Sequence, residues 1–297
     1  MVLTEDDVRG LLRMKDLIPA VERALVDLSA GRAIQPVRTV IPVADHHGFF
    51  AVMPAYAGAL GAKLVTFFPE NRDRDTHHAI VVLFRPETGE PLVTMDGRLI
   101  TEMRTAAVSA AATRALARAD ASVLAIIGSG VQARSHLEAI RLVRDIREVR
   151  VWSPRRAGEF AEAFGVRAAE SAESAVRGAD VVVVATTSRT PVLLGEWLAP
   201  GTHVNAVGAT RPDWRELDDE VLSRSRIFVE TREAASRESG DVIASGRIDA
   251  EIGEVFAGRA PGRRSDEEIT LYKSVGVAVE DLAAAGLVFR AAAERAR

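Results

Sequence analysis

The sequence predicts an α/β protein in which a doubly wound parallel-sheet domain is joined to a discontinuous α+β domain. Three observations carry this. From about residue 121 the chain alternates helices with short runs of β-branched residues, the pattern of parallel strands covered on both faces. From residue 38 to 95 short β-rich segments follow one another with only turn material between them. The last stretch is again helical and alanine-rich, and its stripe of Val277, Val279, Leu282 and Leu287 suits packing on the first domain. The expected division is residues 1–119 with a C-terminal helix 275–297, and residues 120–274.

Taken in order, the first thirty residues read as helix. Thr4 followed by Asp7 is an N-cap with an acidic residue at N3, and Leu17, Val21, Ala24, Leu25 and Leu28 recur at helical spacing until Gly31. Strand-like segments follow at Arg38–Val43, Phe49–Met53, Lys63–Phe68, Ala79–Phe84 and Leu92–Met95, which predict an antiparallel or mixed sheet. Thr101–Ala119 is alanine-rich and helical, with Thr101 as its expected cap. The second domain then reads strand (Val123–Ile127), helix (Val131–Val143), strand (Glu148–Trp152), helix (Arg155–Phe164) and strand (Asp180–Ala185). Two more strands are expected at His203–Val207 and Ile227–Val229.

Composition narrows the function. With 38 basic against 42 acidic side chains, the net charge of −4 provides no basic excess to follow a nucleic-acid backbone. No apolar run approaches the roughly 18 residues of a membrane span, and the acidic start Met1–Asp7 is unlike a signal peptide. There is no cysteine, hence no disulfide, thiolate metal site or cysteine nucleophile. The pairs His46-His47 and His77-His78 lack a helical companion, and no metal is assigned. A cytoplasmic globular protein acting on a small molecule is expected.

The strongest motif is Gly128-Ser129-Gly130-Val131-Gln132-Ala133, which follows an apolar strand and opens a helix. Gly128 permits the tight turn, Gly130 lets a pyrophosphate approach the backbone, and Ala133 lets the helix sit close to the sheet. The helix start adds unpaired N–H groups and the positive dipole end. This is a Rossmann-type dinucleotide loop. The next strand carries Glu148 at its beginning, the wrong end for a ribose. At the correct end stand Ser153, Arg155 and Arg156, a hydroxyl and two guanidiniums suited to a 2′-phosphate. NADP(H) is therefore the expected cofactor.

In the first domain Arg38 and Lys63 each begin an apolar strand, a place more often held by a solvated edge residue. If Thr101 caps its helix, Arg104 falls at N3, where its guanidinium and the helix start could meet one anion. The small residues after it, Thr105, Ala106, Ala107, Ser109, Ala110 and Ala111, permit close approach.

Across the whole chain, ordered motifs resemble the ornithine cyclodeaminase/mu-crystallin family. They are Pro36-Val37-Arg38, Val52-Met53-Pro54, Gly61-Ala62-Lys63, Met95-Asp96-Gly97, Arg104-Thr105-Ala106-Ala107, the glycine loop, Asn205-Ala206-Val207-Gly208, Glu238-Ser239-Gly240-Asp241 and Lys273-Ser274-Val275-Gly276. Val52–Tyr56, Lys63–Phe67 and Arg211–Leu217 are most similar to its mu-crystallin branch. The resemblance implies that Arg38, Lys63 and Arg104 hold a substrate carboxylate beside the nicotinamide. It implies cofactor contacts at Thr76, Arg104, Thr105, Ser129, Gly130, Val131, Gln132, Ser153, Arg155, Thr186, Val207 and Ser274, to which the turn at Gly128 and His77, next to Thr76, are added as candidates. It also implies a homodimer built through the first, substrate-binding domain. Two departures matter. Thr210 stands where cyclodeaminases and related alanine dehydrogenases have an aspartate, and Ala51 where cyclodeaminases have a glutamate that would hold a distal amine.

The implied activity is NADPH-dependent reduction of a C=N bond beside a carboxylate, a ketimine or imine reductase. Clamping the carboxylate on Arg38 and Arg104 orients the imine carbon for the cofactor. Lys63 is the expected proton donor or electrostatic partner, with Glu238 the carboxylate balancing an iminium; a histidine such as His77 is its rival. Ornithine cyclodeamination or alanine-type dehydrogenation is the alternative of the same class. A protein that binds NADPH and a small acid without turnover is the alternative of another class.

Overall fold

The structure is a computed structural model that describes residues 1–295. It divides into two units, Met1–Arg104 with the segment from Gly276, and Thr105–Val275. The first break falls inside a helix, Arg98–Leu116, ahead of the boundary expected at 119. The reason is that the second half of this helix is buried in the second unit: Ala106, Ala107, Val108 and Ala110 are wholly enclosed, Ser109 bonds His136, and Thr113 bonds Asn205. No helix among the described residues is long and apolar enough to cross a membrane.

Six strands build the first unit's sheet: β1 (Val2–Leu3), β2 (Thr39–Val43), β3 (Gly48–Tyr56), β4 (Leu60–Phe67), β5 (His77–Phe84) and β6 (Pro91–Asp96). Their order is β1-β6-β5-β4-β3-β2, antiparallel except that β1 lies parallel to β6. The register sets Lys63 between Met53 and Val81, and Phe67 opposite His77. Because side chains alternate across a strand, Ala51, Met53, Lys63, His77, Ala79 and Val81 share one face. The C-terminal helix Ala278–Arg295 packs against β3, β4 and β5 and beside the helix Met14–Ser29. The opposite face carries Ile41, Tyr56 and Ile80 at 45–51% exposure.

Two expectations change here. The N-terminal helix is two helices, Glu5–Leu11 and Met14–Ser29, with Leu12 extended between them. The Thr4/Asp7 capping box does start the first. The break lets both segments bury their apolar stripes, Val8 and Leu12 in one, Leu17, Val21 and Leu25 in the other. The third helix starts at Arg98, whose N–H donates to Asp96 Oδ1 at 2.9 Å. Thr101 is therefore not a cap but an interior residue whose hydroxyl donates to the Gly97 carbonyl. Arg104 lies in the second turn, away from N3.

The second unit holds eight parallel strands: β7 (Val123–Ile127), β8 (Glu148–Trp152), β9 (Arg167–Ala168), β10 (Val181–Val184), β11 (His203–Ala206), β12 (Ser225–Val229), β13 (Ala250–Glu251) and β14 (Ile269–Lys273). The order is β13-β12-β14-β11-β10-β7-β8-β9. All pairs are parallel. The chain winds one way from β7 through β8 to β9 and the other way from β10, so the topological switch lies between β7 and β10. Ala125, Ile127, Val182, Val184, Val204 and Leu271 form the middle of its core. The strand β14 was not foreseen; it inserts between β11 and β12 and delays the C-terminal helix, expected from residue 275, to Ala278. The last two residues of that expected helix, 296 and 297, lie outside the described residues.

Candidate active site

In the second unit the residues singled out from sequence collect at one edge of the sheet. Gly128 follows β7, Ser153 follows β8, Thr186 stands two residues beyond β10, Val207 follows β11 and Ser274 follows β14. All of these are carboxyl ends of parallel strands, where open α/β sheets bind ligands at the switch point. Gly128 has φ +120°, and an added Cβ would lie 2.3 Å from the Ala185 carbonyl oxygen, so only glycine closes this turn. Gly130 differs: a Cβ there meets nothing within 4 Å. It N-caps the helix Val131–Arg141, which no side chain caps, so the first amides are available to a ligand phosphate. These features fit a dinucleotide pyrophosphate.

Ser153 Oγ lies 2.8 Å from Ser129 Oγ and accepts from the Arg156 N–H, joining the glycine loop to the end of β8. Arg155 and Arg156 are exposed beside it. Neither guanidinium has a partner among the described residues. Glu148 sits at the start of β8 and is bound by Arg150 at 2.7 Å. Helix dipole and geometry thus oppose two unpaired cations at the start of the helix Ala157–Phe164 unless an anion joins them.

Beneath the same edge lies a buried ionic cluster. Glu216 Oε1 accepts from the Thr186 N–H and hydroxyl at 2.9 and 2.7 Å. Asp241 Oδ1 accepts the Glu216 and Leu217 N–H groups, both at 3.2 Å. Lys273 donates to the Gly208 carbonyl and stands 3.7 Å from Asp241 Oδ2. Burial pushes the Glu216 carboxyl up to about 7, with Lys273 opposing. Here the backbone of Ala209 takes a left-handed φ of +49°, and Thr210 follows it half-buried. Val207 N–H donates to Val184 O, and Ser274 Oγ donates to Glu230 Oε1 at 2.6 Å. Thr105 is buried within its helix, and Glu238 is buried at the end of the helix Arg232–Glu238.

The first unit brings Arg38, Lys63 and Arg104 together. Lys63 Nζ contacts both oxygens of Asp281, at 2.9 and 2.8 Å, and reaches Thr101 Oγ1 at 3.4 Å. Arg104 Nε donates to Asp281 Oδ1 at 3.0 Å, and its Nη1 donates to Glu280 Oε2 at 2.7 Å. Arg38 Nη2 donates to the Gly276 carbonyl at 2.5 Å. Gly276, at φ +76°, presses against the Arg104 guanidinium; a Cβ would come within 2.5 Å of Nη1. Three cations thus face two carboxylates. Burial pushes the Lys63 ammonium down to about 8; Asp281 opposes this, while Arg104 and Arg38 add to it. For Asp281, burial acts upward but Arg104 and Lys63 outweigh it, and the carboxyl is held below its ordinary value.

His77 shares this face. Burial and the charges of Lys63 and Arg104 push its imidazole down to about 3, so it is neutral. Thr76 precedes it, half-buried, its carbonyl accepting the Phe68 N–H. Glu280 and Asp281 are the functional side chains that sequence reasoning missed. The carboxylate it assigned to this chemistry, Glu238, belongs to the second unit. The available signal was the adjacent acid pair interrupting the stripe Val277, Val279, Leu282, which reads equally as ordinary acidic residues of a helix's first turn.

Fold and site together define a Rossmann-type α/β protein with a dinucleotide-binding edge in one unit and a buried cluster of cations and carboxylates in the other. The chain belongs to the ornithine cyclodeaminase/mu-crystallin family, whose model matches residues 1–296. It is 49% identical to the ketimine reductase mu-crystallin of Rattus norvegicus over 97% of this chain and 96% of that protein. Among solved structures it is similar to the Thermococcus litoralis Delta(1)-pyrroline-2-carboxylate reductase in complex with NADH and L-proline. The TM-score is 0.95 and the identity 41%, covering 100% of this chain and 98% of that one. An archaeal alanine dehydrogenase dimer with bound NAD matches with TM-score 0.94 and 38% identity, over 100% and 97%.

Proposed function

We propose that this chain is a cytoplasmic imine reductase that prefers NADPH and reduces a C=N bond beside a carboxylate, a cyclic ketimine carboxylate being the first substrate to test. The observation that carries the reading is Lys63, enclosed among Arg38, Arg104 and Asp281 and poised to exchange a proton near neutral pH. In this reading Arg38 and Arg104 hold the substrate carboxylate, drawn by the excess of cations over Glu280 and Asp281. When bound, the reduced dinucleotide supplies a hydride to the imine carbon. Lys63 gives its Nζ proton to the imine nitrogen, which takes the electron pair of the C=N bond, and regains a proton from water. Neutral His77 lends no competing charge. The glycine loop, Ser153, Arg155, Thr186, Val207 and Ser274 hold the cofactor in the second unit, with Thr76, His77, Arg104 and Thr105 adding contacts; Glu238 stays a candidate carboxylate there.

The phosphate preference rests on the unpartnered Arg155 and Arg156 at the end of β8. The NADH and NAD of the two solved relatives make this the point to test first. Oxidation of NADPH and of NADH is followed with 1-pyrroline-2-carboxylate. Turnover with NADPH at a higher kcat/KM supports the reading. Turnover with NADH alone removes the NADPH preference, and no turnover with either removes the reductase reading. Alanine-type dehydrogenation and cyclodeamination remain the second reading, favoured by the alanine dehydrogenase relative. Against it stand Ala51, buried on the Lys63 face, and Thr210, neither carrying a carboxylate to pair with a substrate ammonium. NADPH binding without turnover, the third, leaves the buried lysine without a purpose.

We assign the first unit to substrate and dimer formation. The outer face of its sheet exposes Ile41, Tyr56 and Ile80 with Phe50, Val52 and Val82 beside them. An apolar sheet face of this kind marks an interaction surface. A second copy of this chain is its proposed occupant, and light scattering should find a dimer that Ile80→Asp converts to monomer.

A further inference from the structure

The chain has three lysines, Lys15, Lys63 and Lys273, among its 38 basic residues. Lys15 is exposed, whereas Lys63 and Lys273 are both buried against carboxylates. Arginine cannot release a proton near neutral pH and lysine can. A chain that otherwise relies on arginine therefore keeps lysine at Lys63 for something a guanidinium does not supply. What stands next to that ammonium decides what it does.

We propose that Asp281 is the positioning residue of the substrate pocket, fixing Lys63 against Arg104 and setting the charge that Lys63 carries. This rests on the reductase reading for its function. The geometry is that of one carboxylate shared by two cations. Its two oxygens take Lys63 Nζ, and Oδ1 also takes Arg104 Nε. The spacing between the proton-bearing amine and the carboxylate-binding guanidinium is thus set by a single side chain on the C-terminal helix. Glu280, its neighbour, touches Arg104 and not Lys63, so of the two acids only Asp281 couples the guanidinium to the amine. The groups facing Lys63 are Asp281 from the C-terminal helix, Arg104 and Thr101 from the helix Arg98–Leu116, Arg38 ahead of β2, and His77 on β5. Among them Asp281 is the only negative charge, and its removal leaves Lys63 among cations.

Three lysines make the test direct. With 13Cε-lysine in the full-length protein, three signals are expected, and Lys63→Arg assigns the one from Lys63. In the parent protein Lys63 should titrate near 8. In Asp281→Asn it should fall further, by about one to three pH units, the effect of losing an adjacent opposite charge. Glu280→Gln should leave it near the parental value. The alkaline limb of kcat for 1-pyrroline-2-carboxylate should move with it in Asp281→Asn and stay in Glu280→Gln, which instead raises KM. An Asp281→Asn titration matching the parent overturns the proposal, as does a fall in Glu280→Gln as large as that in Asp281→Asn. A protein that shows the expected titrations but reduces no imine retains the Asp281 assignment and loses the reductase reading.

Discussion

Each unit buries one lysine against an aspartate, and the two pairs are built differently. In the first unit Lys63 touches Asp281 at 2.8 Å and shares it with Arg104, whose guanidinium also takes Glu280. In the second, Lys273 stands 3.7 Å from Asp241 and donates to the Gly208 carbonyl, while Arg215 comes within 3.8 Å of the same Asp241. The first arrangement joins side chain to side chain, the binding role proposed for it resting on that. The second ties down backbone: Asp241 holds the start of the segment 216–217, Glu216 holds Thr186, and Lys273 holds the turn before Ala209. Equal chemistry thus links side chains to one another in the first unit and ties much of its bonding to main chain in the second.

That contrast can be broken most severely at Lys273. Lys273→Met removes the buried cation of Asp241, leaving only the more exposed Arg215 at 3.8 Å, and should cost about 3–5 kcal/mol of stability, read by thermal or urea unfolding. If the variant melts like the parent, Lys273 is not structural and the contrast fails. Next comes Arg104→Ala, which should lower kcat/KM for 1-pyrroline-2-carboxylate by the equivalent of about 2–5 kcal/mol and weaken L-proline binding. Parental kinetics would remove the pocket assignment.

Arg155→Ser combined with Arg156→Ser should weaken NADPH binding by about 1.5–3 kcal/mol while leaving NADH binding near parental, measured by fluorescence titration. The finest distinction is in pH. Glu216 is raised from 4.5 to about 7, so the stability it lends is present below pH 4.5 and lost as pH rises through 7. His77, pushed down to about 3 in the first unit, acts oppositely: stability is lost as pH falls from 6.5 toward 3. Glu216→Gln, which cannot ionise, should therefore gain Tm relative to the parent between pH 5 and 8, and His77→Gln should gain it between pH 6 and 4.

The second unit was the more legible of the two in the sequence. Its strands are buried on both faces, so Val123–Ile127 and Asp180–Ala185 read as continuous apolar runs, and the glycine loop follows one of them in a context that only a strand-turn-helix supplies. The strand Ile269–Lys273 escaped because it is short, half polar and adjacent to a helical pattern. Its Thr270 and Lys273 are acceptable inside only because His203 and Gly208 bond them. In the first unit the candidate cations could be picked out, but not their acids. Ion pairing between Lys63 and Asp281 spans most of the chain, and no local pattern records it. The misplaced start of the helix at Arg98 had a local cause: Asp96-Gly97 precedes it and caps earlier than Thr101.

The C-terminal segment closes both units, since β14 completes the parallel sheet and Asp281 completes the cation pocket. During synthesis, then, the amino-terminal sheet emerges long before the acid that neutralises its buried amine, and the parallel sheet waits with its centre open for its final strand. Each unit therefore depends on a pairing distant in sequence: Asp281 meets Lys63 across 218 residues, and β14 enters between β11 and β12.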